Sequence, residues 1–152
     1  MVTAWRIVKH RFAATAFDGE GARRYGGRWT SIGRRVVYTS SSIALATLEV
    51  VVHLDSTGPL AAYSLFELQI PEPLITTIDL RMLPPDWMEY PAPVKLTTIG
   101  DAWLDAEPSP ALQVPSAVVG AEFNYLLNPL QRDFLPIAIG PEQPYRFDPR
   151  LV

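Results

Sequence analysis

Fifteen prolines, the first of them Pro59, are spread over the later two-thirds of a chain of 152 residues. Proline has no backbone donor for a strand ladder and breaks the interior of a helix, so it limits the length of any regular element. The groups Pro71-Glu72-Pro73, Pro84-Pro85, Pro91-Ala92-Pro93 and Pro108-Ser109-Pro110 therefore punctuate short elements rather than forming one linker. With 48% hydrophobic and 19% charged residues, and no internal repeat, the chain can close one ordinary core but not two. One domain over residues 1–152 is expected.

Between the prolines and glycines, β-branched or alternating apolar runs predict strands at Ala4–Val8, Arg35–Tyr38, Ala62–Ile70, Leu74–Asp79, Ala111–Val119 and Phe134–Ile139. Several short strands with few helices predict an α+β fold. The clearest helix runs from Ser41 to Leu54, with Ser40, Ser41 or Ser42 as its cap and a stop before Gly58-Pro59. It is apolar almost all round, which predicts a buried central helix. A second helix is expected from Thr98 to Ala106, ended by Glu107-Pro108.

Charge and composition exclude several classes of function. A formal net charge of −3 argues against a nucleic-acid binder, which neutralises phosphates with a basic face. The absence of cysteine excludes disulfides, thiolate nucleophiles and thiolate metal sites, and suits a reducing, cytoplasmic setting. Met1–Lys9 reads as a strand-like run without the apolar core and cleavage site of a secretory leader. The longest apolar stretch, Ile43–Leu54, is interrupted by Thr47, Glu49 and His53 and falls short of the about 18 residues of a membrane span. Only His10 and His53 are present, so neither a Ser–His–Asp triad nor a multi-histidine metal site is expected.

Chemistry is concentrated in two places. Glu20–Trp29 holds glycines, three arginines and two aromatics within ten residues. Glycines let backbone N–H groups approach phosphate oxygens, arginine adds a bidentate fork, and aromatic faces stack on rings. The alternative is a glycine-turned hairpin with solvated arginines. The segment is neither a P-loop nor a Rossmann turn. The second place is Glu49, since a carboxylate on an apolar helix needs either a partner, such as Arg28, or a function. His53, four residues on, falls on the same face at about 100° per residue, near the helix end. Tyr38 and Ser116 are unremarkable when taken singly.

In order, Trp5-Arg6-Ile7, Gly26-Gly27-Arg28-Trp29, Val36-Val37-Tyr38, Leu48-Glu49-Val50 with His53-Leu54, and Val114-Pro115-Ser116 resemble the landmarks of the RES-domain toxins. The resemblance extends through Asn124-Tyr125-Leu126-Leu127-Asn128-Pro129 and so covers nearly the whole chain. The family is named for an Arg, a Glu and a Ser, which match Arg28, Glu49 and Ser116, while Tyr38 matches a further active-site tyrosine. Thr30 stands where many members carry Asn after the tryptophan, a minor departure that keeps a polar group.

The resemblance implies a fold similar to that of ADP-ribosyltransferases and breakdown of NAD+ by hydrolysis or phosphorolysis. NAD+ is then the substrate, inorganic phosphate a candidate co-substrate, and no other cofactor or metal is implied. The implied partner is an Xre-type antitoxin, and the resemblance leaves room for a homodimer within the toxin–antitoxin complex. On this reading Arg28 clamps the pyrophosphate and Tyr38 packs on the nicotinamide or its ribose. Glu49 binds ribose hydroxyls and favours developing positive charge, while Ser116 orients the nicotinamide amide or the ribose. Gly27, Tyr25 and Trp29 contact the substrate, with Arg24 a further loop contact. Two alternatives stay open: a mono-ADP-ribosyltransferase acting on a cellular target, and a non-catalytic protein-interaction module.

Overall fold

The computed structural model describes residues 1–54 and 62–152. Its strands are β1 (Val2–Lys9), β2 (Val37–Ser40), β3 (Tyr63–Ile70), β4 (Ile75–Thr77), β5 (Ala111–Pro115), β6 (Phe123–Leu127), β7 (Ala138–Ile139) and β8 (Gln143–Tyr145). They form one sheet in the order β4-β5-β6-β2-β1-β3-β7, with β8 also paired to β3. Among the described residues only the β4–β5 pair is parallel. The helices among the described residues are α1 (Glu20–Tyr25), α2 (Ile43–Val51) and α3 (Val94–Ala106). The architecture is the expected α+β one.

Alternation along the strands sends side chains to opposite faces. Tyr125 and Leu127 of β6 join a core with Ala4, Val37, Phe66, Leu68 and Ile70. Leu126, between them, packs on the other side with Leu112, Val114, Trp29, Leu96 and Trp103. A third cluster, Ile7, Ala46, Tyr63, Leu65 and Phe147, lies under α2.

Several boundaries differ from the sequence reading for identifiable reasons. Ser42 is the cap of α2, its hydroxyl accepting from the Leu45 N–H at 3.0 Å. The helix ends at Val51, and the Gly58-Pro59 stop lies outside the described residues. Leu45, Ala46 and Thr47 are its buried residues, and within it Ala44 is the one exposed position. Helix α3 begins four residues earlier than expected, because Pro93 is its N-cap. The Glu20–Tyr25 part of the glycine-rich segment is a short helix, not a hairpin. Of the Phe134–Ile139 run only Ala138–Ile139 is strand; Phe134 closes a short helical turn, Arg132–Phe134, and the residues between are irregular.

Candidate active site

A cavity of about 830 Å³ opens between α2, the central strands and the Gly26–Trp29 loop. Its volume lies in the range that encloses a small-molecule ligand. The lining comes from separate parts of the chain: Arg6 of β1, Arg28 of the loop, Tyr38 of β2, Glu49 and His53 from α2 and its end, and Asn124 of β6. Sheet pairing brings them together, since β1 and β6 both flank β2.

Of the three arginines in the glycine-rich segment, only Arg28 lines the cavity. Arg23 and Arg24 pair with Glu20 at 2.5 and 2.9 Å, and Arg35 reaches the same carboxylate at 3.0 Å. These contacts hold the Glu20 pKa down at about 2 through hydrogen bonds from Arg23 and Arg24, and they correct the expectation that Arg24 belongs to the site. The partner suggested for Glu49 is corrected as well, because Arg28 makes no ion pair with it. Instead Arg28 Nη1 donates to the carbonyls of Trp87 and Glu89 at 2.9 and 3.0 Å. Its remaining N–H groups make no hydrogen bond among the described residues and are available to an anion.

Tyr38 lies against the loop. Its hydroxyl is 3.2 Å from that of buried Thr30, and a Cβ on Gly27 would stand 2.3 Å from Tyr38 Oη. Glycine at position 27 is what allows loop and phenol to meet. Burial pushes the Tyr38 pKa up, with the Thr30 hydrogen bond opposing it, so the phenol is a neutral hydrogen-bonding group at ordinary pH.

Glu49 projects from half-buried helix surface into the cavity. Its Oε1 accepts from the Ser116 hydroxyl at 2.7 Å and from Asn124 Nδ2 at 3.0 Å. Ser116 is fully buried just after β5, and its Oγ also accepts from the N–H groups of Val118 and Val119 at 3.1 and 3.0 Å. It does not line the cavity, so its contact with Glu49 lies behind the carboxylate. Trp29 is 2% exposed, lining the cavity while anchoring the loop in the core. Tyr25, at 80% exposure, stands at the cavity mouth.

The chain belongs to the RES-domain family. The RES domain model matches residues 3–148. A curated protein named Toxin Res from Yersinia enterocolitica is 39% identical, the match covering 97% of each chain. A Sphingobium protein named Prs ADP-ribosylating toxin is 36% identical over 97% of this chain and 95% of its own. In fold, the chain is similar to a solved Mycobacterium tuberculosis MbcT-MbcA toxin-antitoxin complex, with TM-score 0.75 at 21% identity, covering 94% of this chain and 83% of that one.

Within this RES domain the sequence reading missed several lining residues, Arg6, Asn124 and Tyr90 among them. Arg6 donates to the carbonyls of Ala16 and Tyr38 at 2.7 and 2.8 Å. Burial pulls its pKa down to about 10, which leaves it charged at neutral pH. Its signal was legible: a cation inside a strand-like run is as costly to bury as Glu49 on an apolar helix. Asn124 carried a similar signal, a polar residue of low strand propensity before Tyr-Leu-Leu. Tyr90 stands at the mouth with its ring 6.3 Å from that of His53, in a proline-flanked segment without periodicity to mark it.

Proposed function

We propose that the chain is the toxin of a toxin–antitoxin pair and consumes NAD+ by cleaving its nicotinamide–ribose bond. The observation that carries this reading is the convergence in one cavity of two cations, Arg6 and Arg28, a neutral phenol, Tyr38, and a carboxylate, Glu49, with one oxygen tied back. Dinucleotide chemistry needs such a set: cations for the pyrophosphate, an aromatic surface for a ring, and a negative group beside the carbon that becomes positive.

When the C–N bond breaks, its electron pair leaves on the nicotinamide nitrogen, which becomes neutral, and the ribose carbon becomes oxocarbenium-like. Glu49 holds ribose hydroxyls and stabilises that charge, while Arg28 fixes the pyrophosphate and Tyr38 packs on the nicotinamide end. Ser116 acts through Glu49, by holding its Oε1. Water then adds and loses a proton to give ADP-ribose, or a phosphate oxygen adds to give the phosphorylated product. The name of the Sphingobium relative favours a second reading, in which the acceptor is a side chain on a target. The structural neighbour was solved as a toxin-antitoxin complex, which supports an antitoxin partner; that this partner is of the Xre type is part of the proposal.

The test is NAD+ concentration over time with purified protein, with and without inorganic phosphate, against Glu49→Gln. Depletion reduced on the order of 100-fold or more in the variant, with NAD+ still bound, is expected. Phosphate dependence identifies the acceptor, and label transferred to a macromolecule supports the second reading. No depletion and no transfer by folded protein would leave a non-catalytic interaction module.

A further inference from the structure

Asn124 has no task in sheet pairing that its backbone does not already perform, yet its side chain is committed at both ends. It stands opposite Ser40 across the β2–β6 pair. Ser40 Oγ donates to Asn124 Oδ1 at 2.7 Å, which fixes the orientation of the amide and turns its NH2 outward. Nδ2 then donates to Glu49 Oε1 at 3.0 Å, the oxygen that Ser116 also holds. Among the described residues, Glu49 Oε2 accepts no hydrogen bond, so it is the oxygen left for a ligand. Ser40 is buried and Asn124 half-buried, and both border the cavity. Asparagine is poorly suited to a strand, and a paired polar network at a sheet centre fixes geometry better than apolar packing does.

We propose that Asn124, aimed by Ser40, is a positioning residue that holds Glu49 so that Oε2 faces the substrate ribose. The proposal rests on the NAD+-cleaving reading. Ser116 holds the carboxylate from the β5 side and Asn124 from the β6 side, so neither donor alone fixes the plane of the carboxylate. The effect belongs to the transition state: a swung carboxylate still admits NAD+ but does not face the carbon where charge develops.

The experiment measures kcat and KM for NAD+ consumption by wild type, Asn124→Ala, Asn124→Asp and Ser40→Ala, with thermal melts of each. Asn124→Ala is expected to lower kcat on the order of 10- to 100-fold, with KM within about twofold of wild type. Asn124→Asp keeps the shape but replaces the donor with an anion beside Glu49, so it should lose at least as much. Ser40→Ala should lose less, in kcat again. Were Asn124 merely structural, the near-isosteric Asp variant would retain kcat wherever it remained folded. Wild-type kcat in folded Asn124→Asp or Asn124→Ala therefore overturns the proposal while leaving the NAD+ reading intact. If Asn124→Ala does not fold, Ser40→Ala and Asn124→Asp decide the matter by the same split. Absence of NAD+ consumption by wild type overturns the reading itself, and the proposal with it.

Discussion

The contact between Gly27 and Tyr38 is decided by single atoms. Any Cβ at position 27 meets the Tyr38 hydroxyl at 2.3 Å, so the half-buried phenol has to move away from Thr30 and into the cavity it lines to make room. Gly27→Ala should therefore leave the fold intact but displace Tyr38, lowering kcat/KM for NAD+ on the order of 10-fold or more; a wild-type value would show that the phenol is not needed in place. The same burial makes Tyr38 a reporter of alkaline stability. With its pKa raised in the folded protein, its contribution is complete below the ordinary tyrosine value of about 10 and is lost as pH rises through the folded value. Melts of wild type and Tyr38→Phe from pH 8 to 11 should show the wild type losing stability relative to the variant only at the alkaline end.

At the level of elements, α1 and α3 hold the loop that carries Arg28. Gly100 of α3 lies so close to the loop that an added Cβ would be 1.7 Å from the Trp29 carbonyl oxygen. Backbone cannot swing aside as a flexible side chain can, so Gly100→Ala should cost about 1–3 kcal/mol or more, read as a lower denaturant midpoint. Its activity should fall too, because Trp29 is the next residue after Arg28. On the other side, Glu20 ties α1 to Arg35, and its lowered pKa makes the tie acid-sensitive. The stabilisation is present above the ordinary glutamate value and lost as pH falls towards about 2. The melting temperatures of wild type and Glu20→Gln should therefore converge between about pH 5 and pH 2. These elements also explain what the sequence hid. The alternation in β1 and β3 was plain, and the Ser42 cap and the isolated carboxylate marked α2 and Glu49. Helix α1 was obscured because Glu20 with Arg23 and Arg24 is equally a helix-stabilising i,i+3 and i,i+4 set and an anion-binding composition. Strand β6 was missed because Asn124 breaks its apolar run, and the reason for that break, its bond to Glu49, is a contact over 75 residues of chain.

Across the whole molecule, the C-terminal segment and the later part of β1 pack together under α2. Strand β1 lies inside the sheet, between β2 and β3, while the C-terminal segment returns along β3 through β8. Phe147, 2% exposed, packs edge-on against Tyr63 and Tyr145 at ring distances of 4.6 and 5.2 Å, in the cluster that also holds Ala46 of α2. Tyr145 adds a hydroxyl contact to Thr47 of the same helix, and Glu142 accepts from Ser64 at 2.6 Å and lies 2.8 Å from His10. The last dozen residues thus support the floor on which α2 rests, far along the chain from Glu49. Phe147→Ala should lose about 3–5 kcal/mol of stability, the cost of an aromatic cavity in a packed cluster. The donors that hold Glu49, however, come from β6 and from the turn after β5, not from this cluster. Below its lowered melting temperature the variant should therefore keep kcat within about twofold of wild type, as separate sites in a structure do. A large fall in kcat while the protein is still folded would mean that the C-terminal segment sets the pose of α2 as well as its stability.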